Sequence, residues 1–575
     1  MSTPTRDEAI AALTRAGEPY ELAMVDAATG PVKVFTNAPA SLRELYAGNV
    51  SDKTFIVYDD LRLTFAEAYH AAAGIAHVLV DDYGVAKGDR VAIAMRNYPE
   101  WVLAFCAITS IGAIAVAMNS LWQPEELEFG LVDSGAKVLF ADQERLDRLA
   151  HCSSELEVRV IAVRPTRPVS KAADLNELLA ALDARGHRPG NAWDMPEAEI
   201  DPTDPATIFY TSGSTGHPKG VLSTHRNIIT ALFSWELDAR IASFRSGGTA
   251  PAAGSRPNGA QAATLLAVPL FHATGSHAVF LQSYRAQRKL VCMYKWDPEL
   301  AAELIERERI NSFVAPSAMT GDLVRVAKDT NRDLSSLRMV GGGGAARAPE
   351  QVRQIDASFT KAMPNTGWGM TETTAIGTGI AGSDYLSRPA SSGRCSAVME
   401  LKVVDDTGGE QPASARGELL VRGTCLFPGY WNRPEVNAEV FVDGWFRTGD
   451  VAYLDDEGYL FIVDRIKDLI IRGGENIGCG QVEAALLMHP DVHEAAVYAL
   501  PDERLGEEVG ATVFASPGLD LDELREFLLT HLARFEVPRY VVRAGGPLPR
   551  TASGKILKRQ LRDEAVAAGV ASPGH

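Results

Sequence analysis

The run YTSGSTGHPKGV, residues 210–221, packs hydroxyl side chains, glycines and a lysine into one short stretch. Glycine lets backbone N–H groups approach an anion with no Cβ in the way, hydroxyls add donors, and Lys219 contributes a mobile point charge. That chemistry suits a polyphosphate. The spacing of Gly213, Gly216 and Lys219 departs from the G-x-x-x-x-G-K-[ST] of P-loop NTPases. A flexible Ser/Gly turn is the plain alternative. The run follows the β-favouring tetrad ATIF and precedes a helical pattern starting near His225, which predicts a loop between a strand and a helix.

Four later stretches also concentrate reactive side chains: GWGMTETT (367–374), GWFRTGD (444–450), DRIKDLIIRGGENI (464–477) and PRTASGKILKRQLR (549–562). In this order and with these separations, the five together resemble the adenylate-forming superfamily, which includes acyl-CoA synthetases, luciferases and the adenylation domains of peptide synthetases. The resemblance implies that a carboxylate and ATP form an acyl-adenylate and pyrophosphate, followed by a thioester with coenzyme A.

Carried over residue by residue, the resemblance assigns Thr211, Ser212, Gly213, Ser214, Thr215, Gly216 and Lys219 to the departing phosphates. Glu372 matches the magnesium ligand, a hard oxygen donor, and Thr371 the α-phosphate contact. Trp368, with Gly369 and Met370, matches the stretch beside the nucleotide, where a flat ring could stack on adenine. Gly344, Ala345 and Ala346 align along the adenine, although relatives often carry a proline there. Asp450 would accept the ribose hydroxyls, with Arg465 as a donor nearby. Lys555, cationic at neutral pH, would stabilise charge on the α-phosphate and the attacking carboxylate, and His272 matches a histidine at the mouth of the acyl pocket. A lysine on a small domain cannot stay at the phosphate while a thiol reaches the same carbon. The family's hinge falls on Lys467, and Gly473, Gly474 and Glu475 match the loop that then faces the thioester site.

These side chains need a scaffold of more than one core, because 575 residues exceed what a single core serves. TFIVYDDLRLTF (54–65) predicts a hairpin, followed by a helical pattern that stops at Gly84, the strand GDRVAIAM, the helix PEELEFGLVDSG and the strand AKVLFAD. The near-continuous apolar run 101–118 predicts a buried helix ending near Gly112 and an interior strand, rather than a membrane span. Residues 243–263 predict an exposed loop, and LKVVDD, GELLVRG and GYLFIVD the strands of a β-rich portion. Beyond these come a helix around 481–488, two strands, and a helix opened by Asp520 with Glu523 as a capping-box partner. The expected fold is α/β. A large N-terminal domain, 1–464, of α/β subdomains with a β-rich subdomain carries the ATP and acyl pockets, and a small mobile α+β domain, 465–575, carries Lys555.

The net charge of −18 argues against a nucleic-acid footprint, so local donors must hold any anion. Six scattered cysteines and an N-terminus without an apolar leader fit a reduced, cytoplasmic setting. Ile228, Leu232 and Trp235 share one face of the helix after the phosphate loop, as an apolar acyl wall or as plain core, and Gly343 with its neighbours at 341–344 leaves space for bulk. The expected substrate is a medium- or long-chain fatty acid, with an aryl or alicyclic acid as the alternative. A module loading a carrier protein, a non-catalytic acyl or nucleotide sensor and, more remotely, an NAD enzyme using the GGGGAA run are the competing readings, and a homodimer is compatible with all of them.

Overall fold

The computed structural model describes residues 4–27, 30–153, 156–185, 193–211, 218–247, 260–343, 347, 349–359, 361–551 and 554–570. The larger part of the chain is α/β and is built on two sheets. The first has eight strands in the order Gly429–Tyr430, Lys219–Thr224, Pro205–Thr211, Ile114–Ala117, Arg90–Ala94, Val138–Asp142, Arg159–Val163 and Ala172–Asp174. From Pro205–Thr211 to the far edge its neighbours pair in parallel, which requires crossovers, and helices supply them. One is Pro99–Ser110, buried at every position but Glu100. That explains why the run 101–118 is apolar all round: it lies inside, and among the described residues no helix is long and apolar enough to cross a membrane.

The second sheet has fourteen strands and joins what the sequence separates. Thr54–Tyr58, Lys289–Cys292, Ala263–Leu266, Ser312–Val314, Met339–Gly342 and Met363–Thr366 run parallel. Thr378–Ala381, Gly393–Cys395, Tyr459–Arg465, Trp445–Leu454, Gly417–Gly423 and Met399–Val404 then continue it in antiparallel pairing. The β-rich portion is therefore an extension of the α/β sheet rather than a detached layer. The predicted hairpin forms, with Thr54–Tyr58 paired to Leu61–Thr64.

A five-stranded sheet (Ile470–Arg472, Glu475–Ile477, Val492–Asp502, Gly506–Ala515, Tyr540–Arg543) and the helices Cys479–Leu486, Leu521–Leu529 and Lys558–Ala567 form the C-terminal unit, with hydrophobic clusters of their own. Asp520 caps its helix by accepting from the N–H groups of Asp522 and Glu523, but Glu523 does not return the bond, so the cap is single-sided.

Two further differences from the sequence reading bear on the site. The run 210–221 does not lead straight into a helix, because Lys219–Thr224 is a strand paired antiparallel to Pro205–Thr211. The helix His225–Arg245 begins only after it, capped by Thr224 and Asn227. Loop residues 212–217 lie outside the described residues, and Thr211 faces Lys219 across the strand pair at their base. The second difference is that 243–263 is shorter as a loop: the helix runs to Arg245 and a strand starts at Ala263, with 248–259 outside the described residues.

Candidate functional site

Strand ends and their turns bring the reactive side chains together. Asp450 sits within strand Trp445–Leu454, directly opposite Arg465 on Tyr459–Arg465. That register gives an ion pair from Arg465 Nε to Asp450 Oδ1 of 2.6 Å, while Arg465 Nη1 also donates to the Thr448 carbonyl at 3.1 Å. The other carboxylate oxygen, Oδ2, accepts from the indole Nε1–H of Trp368 at 2.8 Å. Burial raises the Asp450 pKa from its ordinary value, against the pull of Arg465 and the Trp368 hydrogen bond. The Trp368 ring is thus tied by its edge to the carboxylate expected to hold the ribose.

Beyond Trp368 the chain makes a tight 3₁₀ turn, Thr371–Thr373, that buries Glu372 to 6% exposure. Glu372 Oε1 accepts from the hydroxyl of Tyr430 at 2.7 Å, and no other hydrogen bond of its carboxylate is made among the described residues. Its backbone carbonyl accepts from Phe427 N at 2.8 Å, and Thr374 Oγ1 donates to the Cys425 carbonyl at 2.8 Å, so the segment before Tyr430 is stitched to this turn. A buried carboxylate with a spare oxygen suits a hard divalent cation that takes its remaining ligands from phosphates and water. Lys219 Nζ lies 5.0 Å from the centroid of the Tyr430 ring.

Lys555 reaches this cleft from the C-terminal unit. The turn beneath it is closed by Thr551 N to Lys555 O, 2.7 Å, and by Lys555 N to Thr551 Oγ1, 3.1 Å. Gly554 holds φ +81°, a left-handed conformation that favours glycine, and a Cβ there would meet the Pro316 side chain of the larger part at 3.6 Å. Burial first, and then the Arg465 guanidinium, lowers the Lys555 ammonium pKa from its ordinary value, while Asp450 and Glu372 draw it back up. The side chain still keeps an exposed surface, so it stands in a wet cleft mouth rather than in a sealed core. His272, in the turn after strand Ala263–Leu266, is depressed to about 4 by burial and by the Lys555 charge, and is neutral at physiological pH.

The structure therefore gathers Lys555, His272, Thr371, Glu372, Trp368, Asp450 and Arg465 around one cleft. Gly369 passes close to the backbone of Ala375, where a Cβ would lie 2.8 Å from the carbonyl, and Met370 N–H is bonded to Thr373 Oγ1. Ser212, Gly213, Ser214, Thr215, Gly216, Gly344, Ala345 and Ala346 lie outside the described residues.

The glycines before them, 341–343, leave no room for a side chain of their own. A Cβ on Gly341 would fall 1.7 Å from Asn365 Oδ1, one on Gly342 2.0 Å from the Ala315 carbonyl, and one on Gly343 3.0 Å from the Gly367 carbonyl. These positions are small because the Asn365 side chain and neighbouring backbone press on them. Ile228 and Leu232 are fully buried in the large core, while Trp235 on the same helix is half-buried.

Gly473, at φ +59°, and Gly474, at φ +93°, form the turn between strands Ile470–Arg472 and Glu475–Ile477. Gly473 N donates to the Leu505 carbonyl, a contact within the C-terminal unit, and no hydrogen bond or ion pair among the described residues ties this hairpin to His272, Glu372 or Asp450. Lys467 lies in the short link between the sheet ending at Arg465 and the one beginning at Ile470. Sequence reasoning missed Tyr430. Its stretch, GYWNRPE, carries no chemical signature, and only the pairing of Val221 with Tyr430 brings it beside the site.

Comparison with known proteins follows the same layout. Residues 44–431 match the AMP-binding enzyme family and residues 481–555 match the AMP-binding enzyme C-terminal domain. The chain is 33% identical over 508 residues to a long-chain-fatty-acid–CoA ligase, FadD13, of Mycobacterium tuberculosis, covering 88% of this chain and 93% of that protein. It is 32% identical to a feruloyl-CoA synthase of an Amycolatopsis species, covering 88% and 95%. Among solved structures, the o-succinylbenzoate CoA synthetase of Bacillus subtilis in complex with its acyl-adenylate intermediate superposes with a TM-score of 0.75 at 28% identity, covering 91% of this chain and 98% of the other.

Proposed function

From the premise that the chain belongs to the AMP-binding enzyme family, we propose that this acid–thiol ligase activates a medium- or long-chain fatty acid with ATP and transfers it to coenzyme A. The coarser activity, formation of a CoA thioester from a carboxylic acid, is what the names of the relatives state, and the o-succinylbenzoate CoA synthetase of Bacillus subtilis is also solved in complex with ATP and a magnesium ion. The observation that carries the reading is the convergence of Lys555, from the C-terminal unit, on Asp450, Glu372 and His272 of the larger part.

In the first step an oxygen of the substrate carboxylate attacks the α-phosphorus, the bond to the β,γ-phosphates breaks, and pyrophosphate leaves. Lys555 would offset the negative charge that builds on the α-phosphate and on the attacking oxygen, with Thr371 as a further donor. Asp450, fixed by Arg465 and Trp368, would take the ribose hydroxyls. Glu372 would hold the magnesium ion, which when bound supplies charge neutralisation on the phosphate oxygens. Lys219 and Thr211 stand at the base of the phosphate loop to receive the leaving group. His272, neutral beside Lys555, adds no second cation where the carboxylate must enter.

In the second step the coenzyme A sulfur attacks the acyl carbon, the C–O bond to AMP breaks, and AMP leaves. Lys555 at the α-phosphate would stand in the way of a thiol attacking the neighbouring carbon, so we assign Lys467 as the pivot on which it withdraws and the Gly473–Glu475 hairpin as the surface that replaces it. An aryl or alicyclic acid is the second reading, favoured by the feruloyl and succinylbenzoate relatives.

Replacing Lys555 with Ala is expected to lower acid-dependent pyrophosphate release 100- to 1,000-fold, the scale for loss of one charge-stabilising group. Thioester formation from a synthetic acyl-adenylate should be spared. Equal loss in both half-reactions would contradict this division of labour, and assaying fatty, aryl and alicyclic acids side by side would rank the two substrate readings.

A further inference from the structure

Glu372 and Lys219 carry opposite charges at the head of the same cleft, yet no ion pair joins them among the described residues, and Tyr430 touches both. Its hydroxyl donates to Glu372 Oε1 at 2.7 Å, and its ring lies 5.0 Å from Lys219 Nζ. A direct ion pair would satisfy each charge with the other, and an incoming metal–triphosphate would first have to separate them. A phenol between them gives the carboxylate one neutral donor and the ammonium one aromatic face, and leaves both free to engage a ligand.

The ring is held from several sides. Antiparallel pairing sets Tyr430 opposite Val221, two residues beyond Lys219. The side chain of Asn437 accepts from Tyr430 N at 2.7 Å and donates to Tyr430 O at 3.0 Å, clamping the backbone of that short strand. Phe427 packs edge-on against the ring with centroids 4.9 Å apart, while its own N–H bonds the Glu372 carbonyl. With Tyr430 at 8% and Glu372 at 6% exposure, little water competes for that contact.

We propose that Tyr430 is a positioning residue of the adenylation site, holding Glu372 by its hydroxyl and Lys219 by its ring so that both stay directed at a magnesium-bound triphosphate. The inference rests on the reading of Glu372 given under the proposed function. Groups that orient a metal-binding carboxylate from behind typically change metal affinity 10- to 100-fold when removed.

The test is calorimetric and needs no turnover: binding of a non-hydrolysable ATP analogue is measured with and without Mg2+. In Tyr430→Phe, which keeps the ring and its Phe427 contact, the Mg2+-dependent gain in affinity should fall at least roughly tenfold, with Mg2+-free affinity unchanged. Tyr430→Leu, which also removes the aromatic face, should weaken Mg2+-free binding as well. If Glu372→Gln abolishes the Mg2+-dependent gain while Tyr430→Phe leaves it intact, the inference about Tyr430 is overturned and the reading of Glu372 stands. If Glu372→Gln also retains the gain, the reading of the site fails and takes this inference with it.

Discussion

Trp368 is the residue at which this chain's site departs most from a simple stacking platform. Its indole N–H is spent on Asp450 Oδ2, while Arg465 holds Oδ1, so the carboxylate is fixed at both oxygens before any ribose arrives. Each oxygen keeps a further lone pair, so the clamp sets direction without closing the acceptor. Phenylalanine at 368 would preserve a flat ring and remove only the donor. Trp368→Phe should therefore raise the KM for ATP roughly tenfold, the scale of a hydrogen bond to a charged group, and leave the KM for the acid near its original value. Steady-state kinetics with each substrate varied in turn would check this, and an unchanged KM for ATP would reduce the Trp368 contact to packing.

At the scale of elements, the turns carrying the chemistry were legible, because each concentrates unusual residues in a short span. Asp450 and Trp368 each lie in a motif that the sequence singles out, but their pairing was hidden, because it depends on which strands become neighbours. The strand Lys219–Thr224 was invisible for a related reason: GVLST is too short to show a period, although the start of the following helix near His225 was legible. The glycines at 341–343 show the same limit, since sequence gives an absent side chain but not whether the space is filled. Gly275 extends that lesson to a prediction. It is the second residue of the π-helical segment Thr274–Leu281, and a Cβ there would lie 2.2 Å from the Pro269 carbonyl and 3.1 Å from that of Val268, in the loop that carries His272. Gly275→Ala should destabilise the larger part by about 1–3 kcal/mol, the usual cost of overpacking, seen as a lower urea midpoint at unchanged slope. It should also raise the KM for the acid more than that for ATP, because the loop moves His272 rather than Asp450.

For the whole molecule, three buried histidines of the larger part, His272 of the site among them, govern acid stability. His225 is depressed to about 4 chiefly by burial, with Asp204 opposing and Lys87 assisting. Burial and the Lys555 charge bring His272 to about 4, and burial alone brings His277 to about 3. His225 Nδ1 accepts from Leu42 N at 3.1 Å and His277 Nδ1 sits 2.9 Å from Ser276 Oγ, bonds that suit neutral rings. An unfolded histidine takes up its proton near pH 6.5, whereas these do so only near 4 or below, so between those limits the unfolded chain binds more protons. Stability contributed by the neutral rings is thus complete above about pH 6.5 and is lost as pH falls toward 4. Each group contributes a slope of up to about 1.4 kcal/mol per pH unit. The urea midpoint of the larger part should hold level from pH 8 to 7 and fall steeply from 6 to 5, before the carboxylates titrate in bulk. His277→Phe, which fills the same buried site with an apolar ring, should make that decline shallower by about one proton's share. A midpoint that stays flat from pH 7 to 5, or a His277→Phe profile parallel to that of the unaltered chain, would show that these rings take up protons without unfolding.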